Sequence, residues 1–156
     1  MVNRLDYIPD DDFYKANPSL IGSIPFFDSL VLAGFSSPAT DHIEKACSLD
    51  DLCISHLNTT YFARCWGDSM MDDGLWDGDI MIIDRTFDPD LLEGRMVIAW
   101  YNGGRLVKRY HKKDGFICLM PANPQFAPIY IREGDKFRVF GIVTFWLRKA
   151  AIKRVF

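Results

Sequence analysis

The sequence predicts a mainly β domain: a curled, mostly antiparallel sheet, preceded by an extended N-terminal arm and one or two short helices. Three observations predict it. From Tyr61 onward, six short runs rich in β-branched and aromatic residues are separated by Gly, Asp and Pro. The chain has 156 residues and is 49% hydrophobic, enough for one core of ordinary size. Acidic residues and prolines gather before Gly34, where no helical period is sustained.

The arm comes first. Residues 1–33 carry Arg4 and Lys15 against Asp6, Asp10, Asp11, Asp12 and Asp28, a net −3 that equals the formal charge of the whole chain. With Pro9, Pro18 and Pro25 the segment reads as extended or partly disordered rather than as a domain. Residues 34–156 are balanced in charge and read as one domain. That balance argues against direct, sequence-specific DNA binding, which normally shows a basic excess. The late cluster Arg148, Lys149, Lys153 and Arg154 reads as a solvated tail, with phosphate contact as the alternative. The opening MVNRLDYIPDDDFYK lacks a signal-peptide core and no eighteen consecutive apolar residues occur, so the expectation is a cytoplasmic protein with no membrane contact.

After the arm, Ser37 with Pro38 at the first helical position predicts a short helix through about Cys47. Ser48 with Asp51 has the spacing of a capping box and predicts a further helical turn or two over Leu49–His56. The predicted strands are Tyr61–Trp66, Asp79–Asp84, Met96–Tyr101, Leu106–His111, Phe116–Met120 and Phe137–Trp146. Asn102-Gly103-Gly104 marks a hairpin, because Asn and Gly tolerate the positive φ of a tight turn.

The four cysteines, Cys47, Cys53, Cys65 and Cys118, show no paired C-x-x-C spacing, and His42, His56 and His111 form no H-x-x-x-H pattern. Reduced thiols, no metal and no cofactor are expected. Two features point to chemistry. In Cys65-Trp66-Gly67-Asp68-Ser69-Met70-Met71 a strand ends in a glycine turn that would expose a hydroxyl beside consecutive backbone amides, the needs of a nucleophile and an oxyanion site. Asp68 or Ser69 serving as an ordinary turn cap is the competing reading. In Arg105-Leu106-Val107-Lys108-Arg109-Tyr110 the period of two puts Leu106, Lys108 and Tyr110 on one face and Arg105 and Arg109 on the other. If the Leu-Tyr face is inward, burial disfavours the ammonium form and favours a neutral amine able to act as a general base. A lysine snorkelling from an edge strand is the alternative. Together the two features fit a Ser-Lys dyad.

The ordered set Ala33-Gly34, Gly67-Asp68-Ser69-Met70, Asp77-Gly78-Asp79 and Val107-Lys108 resembles the self-cleaving LexA and UmuD family, relatives of the signal-peptidase serine enzymes. IPFFDSLVLAGFSSPA, TYFARCWGDSMMDDGLWDGDIMIID and VFGIVTF are most similar to its UmuD branch, and the likeness spans Ile24 to Phe145. The resemblance implies a LexA/signal-peptidase-like β fold with Ser69 as nucleophile, Lys108 as general base and Ala33-Gly34 as the scissile bond. The backbone of Asp68 and Ser69 would form the oxyanion hole. It further implies cleavage promoted by RecA filaments on single-stranded DNA, and a shortened homodimer that joins a UmuC-like Y-family polymerase in translesion synthesis. A LexA-like transcriptional repressor is the alternative, but 33 residues before Gly34 are few for a helix-turn-helix domain and carry the wrong charge sign. A processing peptidase acting on other proteins and an inert β-rich binding module are the remaining readings.

Overall fold

A computed structural model describes residues 48–151, together with the strand backbones of Phe13–Lys15, Ile24–Phe27 and Ile43–Cys47. Among the described residues ten strands and one α-helix follow in order: β1 (Phe13–Lys15), β2 (Ile24–Phe27), β3 (Ile43–Cys47), α1 (Leu49–Cys53), β4 (Thr60–Arg64), β5 (Ile80–Asp84), β6 (Met96–Tyr101), β7 (Gly104–Lys113), β8 (Phe116–Met120), β9 (Ile129–Tyr130) and β10 (Phe137–Leu147). Eight strands form one sheet in the order β1-β4-β5-β10-β6-β7-β8-β9, and β2 pairs with β3 in a separate ribbon. Every pairing is antiparallel, as the run pattern predicts.

Turn chemistry sets the strand ends. Asn102 (φ 47°) and Gly103 (φ 87°) join β6 to β7, and Asp114 (φ 51°) and Gly115 (φ 83°) join β7 to β8. Both are two-residue loops with two positive φ angles, whose twist matches the flanking strands. Ser48 and Asp51 close the predicted capping box: Asp51 N donates to Ser48 Oγ at 3.1 Å and Ser48 N to Asp51 Oδ2 at 2.9 Å. The helix it starts is shorter than expected, ending at Cys53 because Ile54 is already extended.

One predicted helix is not there at its described end. Ile43–Cys47 is strand, paired Ile24↔Cys47, Pro25↔Ala46 and Phe26↔Lys45 with β2, so a non-local ladder overrides a local pattern that also fits a helix. The predicted start at Ser37 and Pro38 lies outside the described residues, as do Ala33 and Gly34.

The sheet is apolar on both faces. Met81, Ile83, Met96, Ile98 and Val107 pack with Ala63, Cys65, Met70 and Leu75 on one side. Val97, Ala99, Leu106, Tyr110 and Leu119 pack with Leu92 on the other. β10 lies between β5 and β6, so the last strand joins the β4–β5 half of the sheet to the β6–β9 meander. Among the described residues no helix is long and apolar enough to cross a membrane.

Candidate active site

The loop between β4 and β5 carries Ser69. Its base continues the ladder, with Cys65 N donating to Asp79 O at 2.7 Å and Gly78 N to Cys65 O at 2.8 Å. Gly67 turns the chain with φ 94°, a conformation that L side chains rarely adopt, and its N–H donates to Asp77 Oδ1 at 2.8 Å. Met70 and Leu75, both fully buried, anchor the loop into the core. Between them Met71–Asp73 makes one 3-10 turn.

The period-two reading of β7 holds: Leu106, Lys108 and Tyr110 are all buried. Lys108 is 3% exposed and Ser69 2%, and Lys108 Nζ shares a short hydrogen bond with Ser69 Oγ. Nζ also donates to Val107 O at 3.2 Å. Two residues 39 positions apart thus meet where water is excluded, an environment that disfavours a charged amine. Arg105 is buried as well, on the opposite face, with its guanidinium 4.1 Å from the Trp100 ring centroid.

The amides of Asp68, Ser69 and Met70 donate to no acceptor among the described residues. The carbonyls of the same turn are occupied. Ser69 O accepts from Ala122 N and Asn123 N, each at 2.9 Å, and Asp68 O accepts from Met71 N at 3.2 Å and Asn123 Nδ2 at 3.2 Å. Among the described residues the turn is thus held through its carbonyls and not through these three amides. Asn123 is a buried residue that sequence reasoning missed. Its signal is the turn-forming Pro121-Ala122-Asn123-Pro124 that follows β8.

The far end of the loop is held by charge. Asp79, 2% exposed, accepts from Trp76 N at 2.8 Å, from Arg148 Nε at 2.6 Å and from Arg148 Nη2. Arg148 Nη2 also donates to Gly74 O at 2.6 Å, and Trp146 Nε1 to the same oxygen at 3.1 Å. Arg148 is therefore no solvated tail residue. Lys153 and Arg154 lie outside the described residues.

Hydrogen bonds from Arg148 hold the Asp79 carboxyl below the usual carboxylate range despite its burial. At Asp84 burial pushes the carboxyl up, but hydrogen bonds from His56, Thr86 N and Thr59 outweigh it and hold it low. Both folded-state values lie below those of the unfolded chain, so both groups contribute stability above the unfolded carboxylate range that is lost as pH falls through the folded values. Urea midpoints measured from pH 7 down to pH 2.5 are expected to fall most steeply below about pH 4. Arg148→Ala should flatten that dependence, and a slope unchanged by it would remove Asp79 from the account.

A protein-family model described as Peptidase S24-like matches residues 25–144. SamA of Salmonella typhimurium is 38% identical over 125 residues, covering 80% of this chain and 85% of that protein. MucA of Escherichia coli is 34% identical over 135 residues, covering 86% and 90%. A LexA repressor of Bordetella pertussis is 30% identical over 148 residues, covering 90% of this chain and 65% of the repressor. The chain belongs to the S24-like peptidase family, whose curled antiparallel β fold it shares. Within that family it is UmuD-like.

Proposed function

We propose that the chain is a self-cleaving serine endopeptidase that cuts its own Ala33-Gly34 bond and acts in SOS mutagenesis. The observation that carries this reading is the buried contact between Lys108 Nζ and Ser69 Oγ, on a turn whose Asp68, Ser69 and Met70 amides donate to no acceptor among the described residues. Neutral Lys108 takes the Ser69 hydroxyl proton as Oγ attacks the Ala33 carbonyl carbon. The carbonyl electron pair moves to oxygen, where the amides of Asp68 and Ser69 donate to it. The C–N bond to Gly34 then breaks, and the leaving amine takes the proton back from the Lys108 ammonium. This leaves an ester between Ala33 and Ser69. A water deprotonated by Lys108 hydrolyses that ester, which restores Ser69 and frees the Ala33 carboxylate.

A small residue on each side of the bond lets the arm's backbone approach the buried serine. The tether replaces binding affinity with local concentration. Removing residues 1–33 also removes the whole formal net charge of the side chains. RecA filaments on single-stranded DNA promote the cut. The shortened homodimer then serves a UmuC-like Y-family polymerase in translesion synthesis. The relatives SamA and MucA are 38% and 34% identical to the chain against 30% for the LexA repressor, which favours this reading over a repressor.

The test is incubation of the purified chain with RecA, ATP and single-stranded DNA, and separately at alkaline pH without RecA, followed by intact mass. Fragments 1–33 and 34–156 are expected in both, and without RecA the rate should rise with pH because only unprotonated Lys108 accepts the proton. A chain that stays intact in both conditions overturns the proposal.

A further inference from the structure

We propose that Arg109 is a positioning residue for the Ser69–Lys108 contact, acting through Asp73; the inference deepens the self-cleavage reading and rests on it. β7 pairs with β8 only from Arg109 onward, beginning Arg109↔Met120, so Gly104–Lys108 has no β8 residue beside it. The Ser69 turn meets β7 at Lys108, the end of this stretch, with Ser69 O bound to Ala122 N and Asn123 N just beyond β8. Neighbouring strand residues point to opposite faces. Lys108 therefore meets the loop from one face of β7, and Arg109 meets it from the other.

Arg109 Nε lies 2.6 Å from Asp73 Oδ2, and Arg109 Nη1 donates to Gly94 O at 2.6 Å. The Asp73 oxygen is buried, and the guanidinium N–H does not point squarely at it, so the pair is an ionic contact rather than an aligned hydrogen bond. Gly94 is itself tied to β7, its N–H donating to Tyr110 O at 2.8 Å. The guanidinium thus joins the strand that carries Lys108 to a point four residues past Ser69. The single 3-10 turn Met71–Asp73 leaves little slack between the two. Proton transfer needs hydrogen-bond reach, and a misplacement of about 1 Å costs on the order of 100-fold. Both side chains are nonetheless partly exposed, 37% for Arg109 and 21% for Asp73, and such ion pairs contribute little to stability, so a purely structural role would leave cleavage almost untouched.

The test uses the full chain with Arg109→Gln, Asp73→Asn, both together, and Arg109→Lys. Cleavage without RecA is followed against pH, and the Lys108 side chain is titrated by NMR with ¹³C-labelled lysine. Each neutral variant should cleave at least about tenfold more slowly, the double variant no more slowly than the worse single one, and Arg109→Lys should recover part of the rate. Charge alone would move the Lys108 titration in opposite directions, up on losing the cation and down on losing the anion. Lost positioning opens Lys108 to water and moves it up in both. Opposite shifts, or no shift with rates within twofold of the parent, overturn the proposal. A parent chain that never cleaves, with both variants still raising the Lys108 titration, sinks the self-cleavage reading and leaves the positioning role standing.

Discussion

Ser69→Ala is expected to give a folded chain that stays whole under both RecA stimulation and alkaline pH, and Lys108→Met one that cleaves about 10²–10⁴-fold more slowly. The two losses have different origins. Alanine at position 69 removes the atom that forms the ester, so no pH restores the reaction. Methionine at position 108 leaves the hydroxyl but removes the acceptor of its proton, so residual cleavage should rise with hydroxide. Neither change should unfold the protein. Ser69→Ala gives up one hydrogen bond, about 1 kcal/mol. Lys108→Met puts an unbranched apolar chain of similar length among Leu106, Tyr110 and Val97, and leaving the buried Ser69 hydroxyl without its amine costs about 1–3 kcal/mol. Urea unfolding of both variants, beside intact mass after incubation, separates lost chemistry from lost fold. Cleavage by Ser69→Ala at the parent rate would refute the nucleophile assignment.

How far the sequence reaches depends on whether a signal is local. β6 and β8 fall at their predicted bounds because turn residues mark the nearby ends, Asn102-Gly103 after one and Asp114-Gly115 before the other. Ser48 and Asp51 cap α1 as expected, since a capping box needs only three residues of spacing. Ile43–Cys47 misled for the opposite reason: its strand character comes from β2, whose partners lie about twenty residues upstream. Period two gave the inward face of Lys108, but not the burial of Val107 and Arg105 beside it, because a sheet covered on both faces loses its polar side. The closeness of Ser69 and Lys108 was legible through resemblance to a family, and nothing in either local stretch encodes it. Asn123 and Arg148 went unread as site-holding residues because what they hold, the Asp68–Ser69 carbonyls and the Asp79 carboxylate, lies 55 and 69 positions away.

Gly141→Ala is expected to lower the melting temperature by about 4–8 °C, a loss of about 2 kcal/mol in a domain of this size. A Cβ at this position would sit 2.7 Å from Asp84 O, 2.7 Å from Ile83 Cγ2 and 3.3 Å from Asp84 C. Two of those three atoms are backbone, and the Asp84 side chain is fastened by His56, Thr59 and Thr86 N, so the neighbour has little room to yield. The gain from removing a flexible strand glycine, about 0.5–1 kcal/mol, offsets only part of the clash. The position matters because β10 holds the Ser69-bearing β4–β5 half against the Lys108-bearing meander, and Gly141 pairs with Ile98 across one seam while touching β5 across the other. Register shifts at Val139/Gly141 and Val143/Phe145 flank the position, one on each seam. Gly141→Val adds two methyl groups to the same clash and should fall further. Thermal and urea unfolding of the three proteins measure the effect, and a melting point within one degree of the parent for Gly141→Ala would mean that the seam takes up a methyl group freely. Strand pairing through β10 would then be too loose to fix the distance between the two halves of the site.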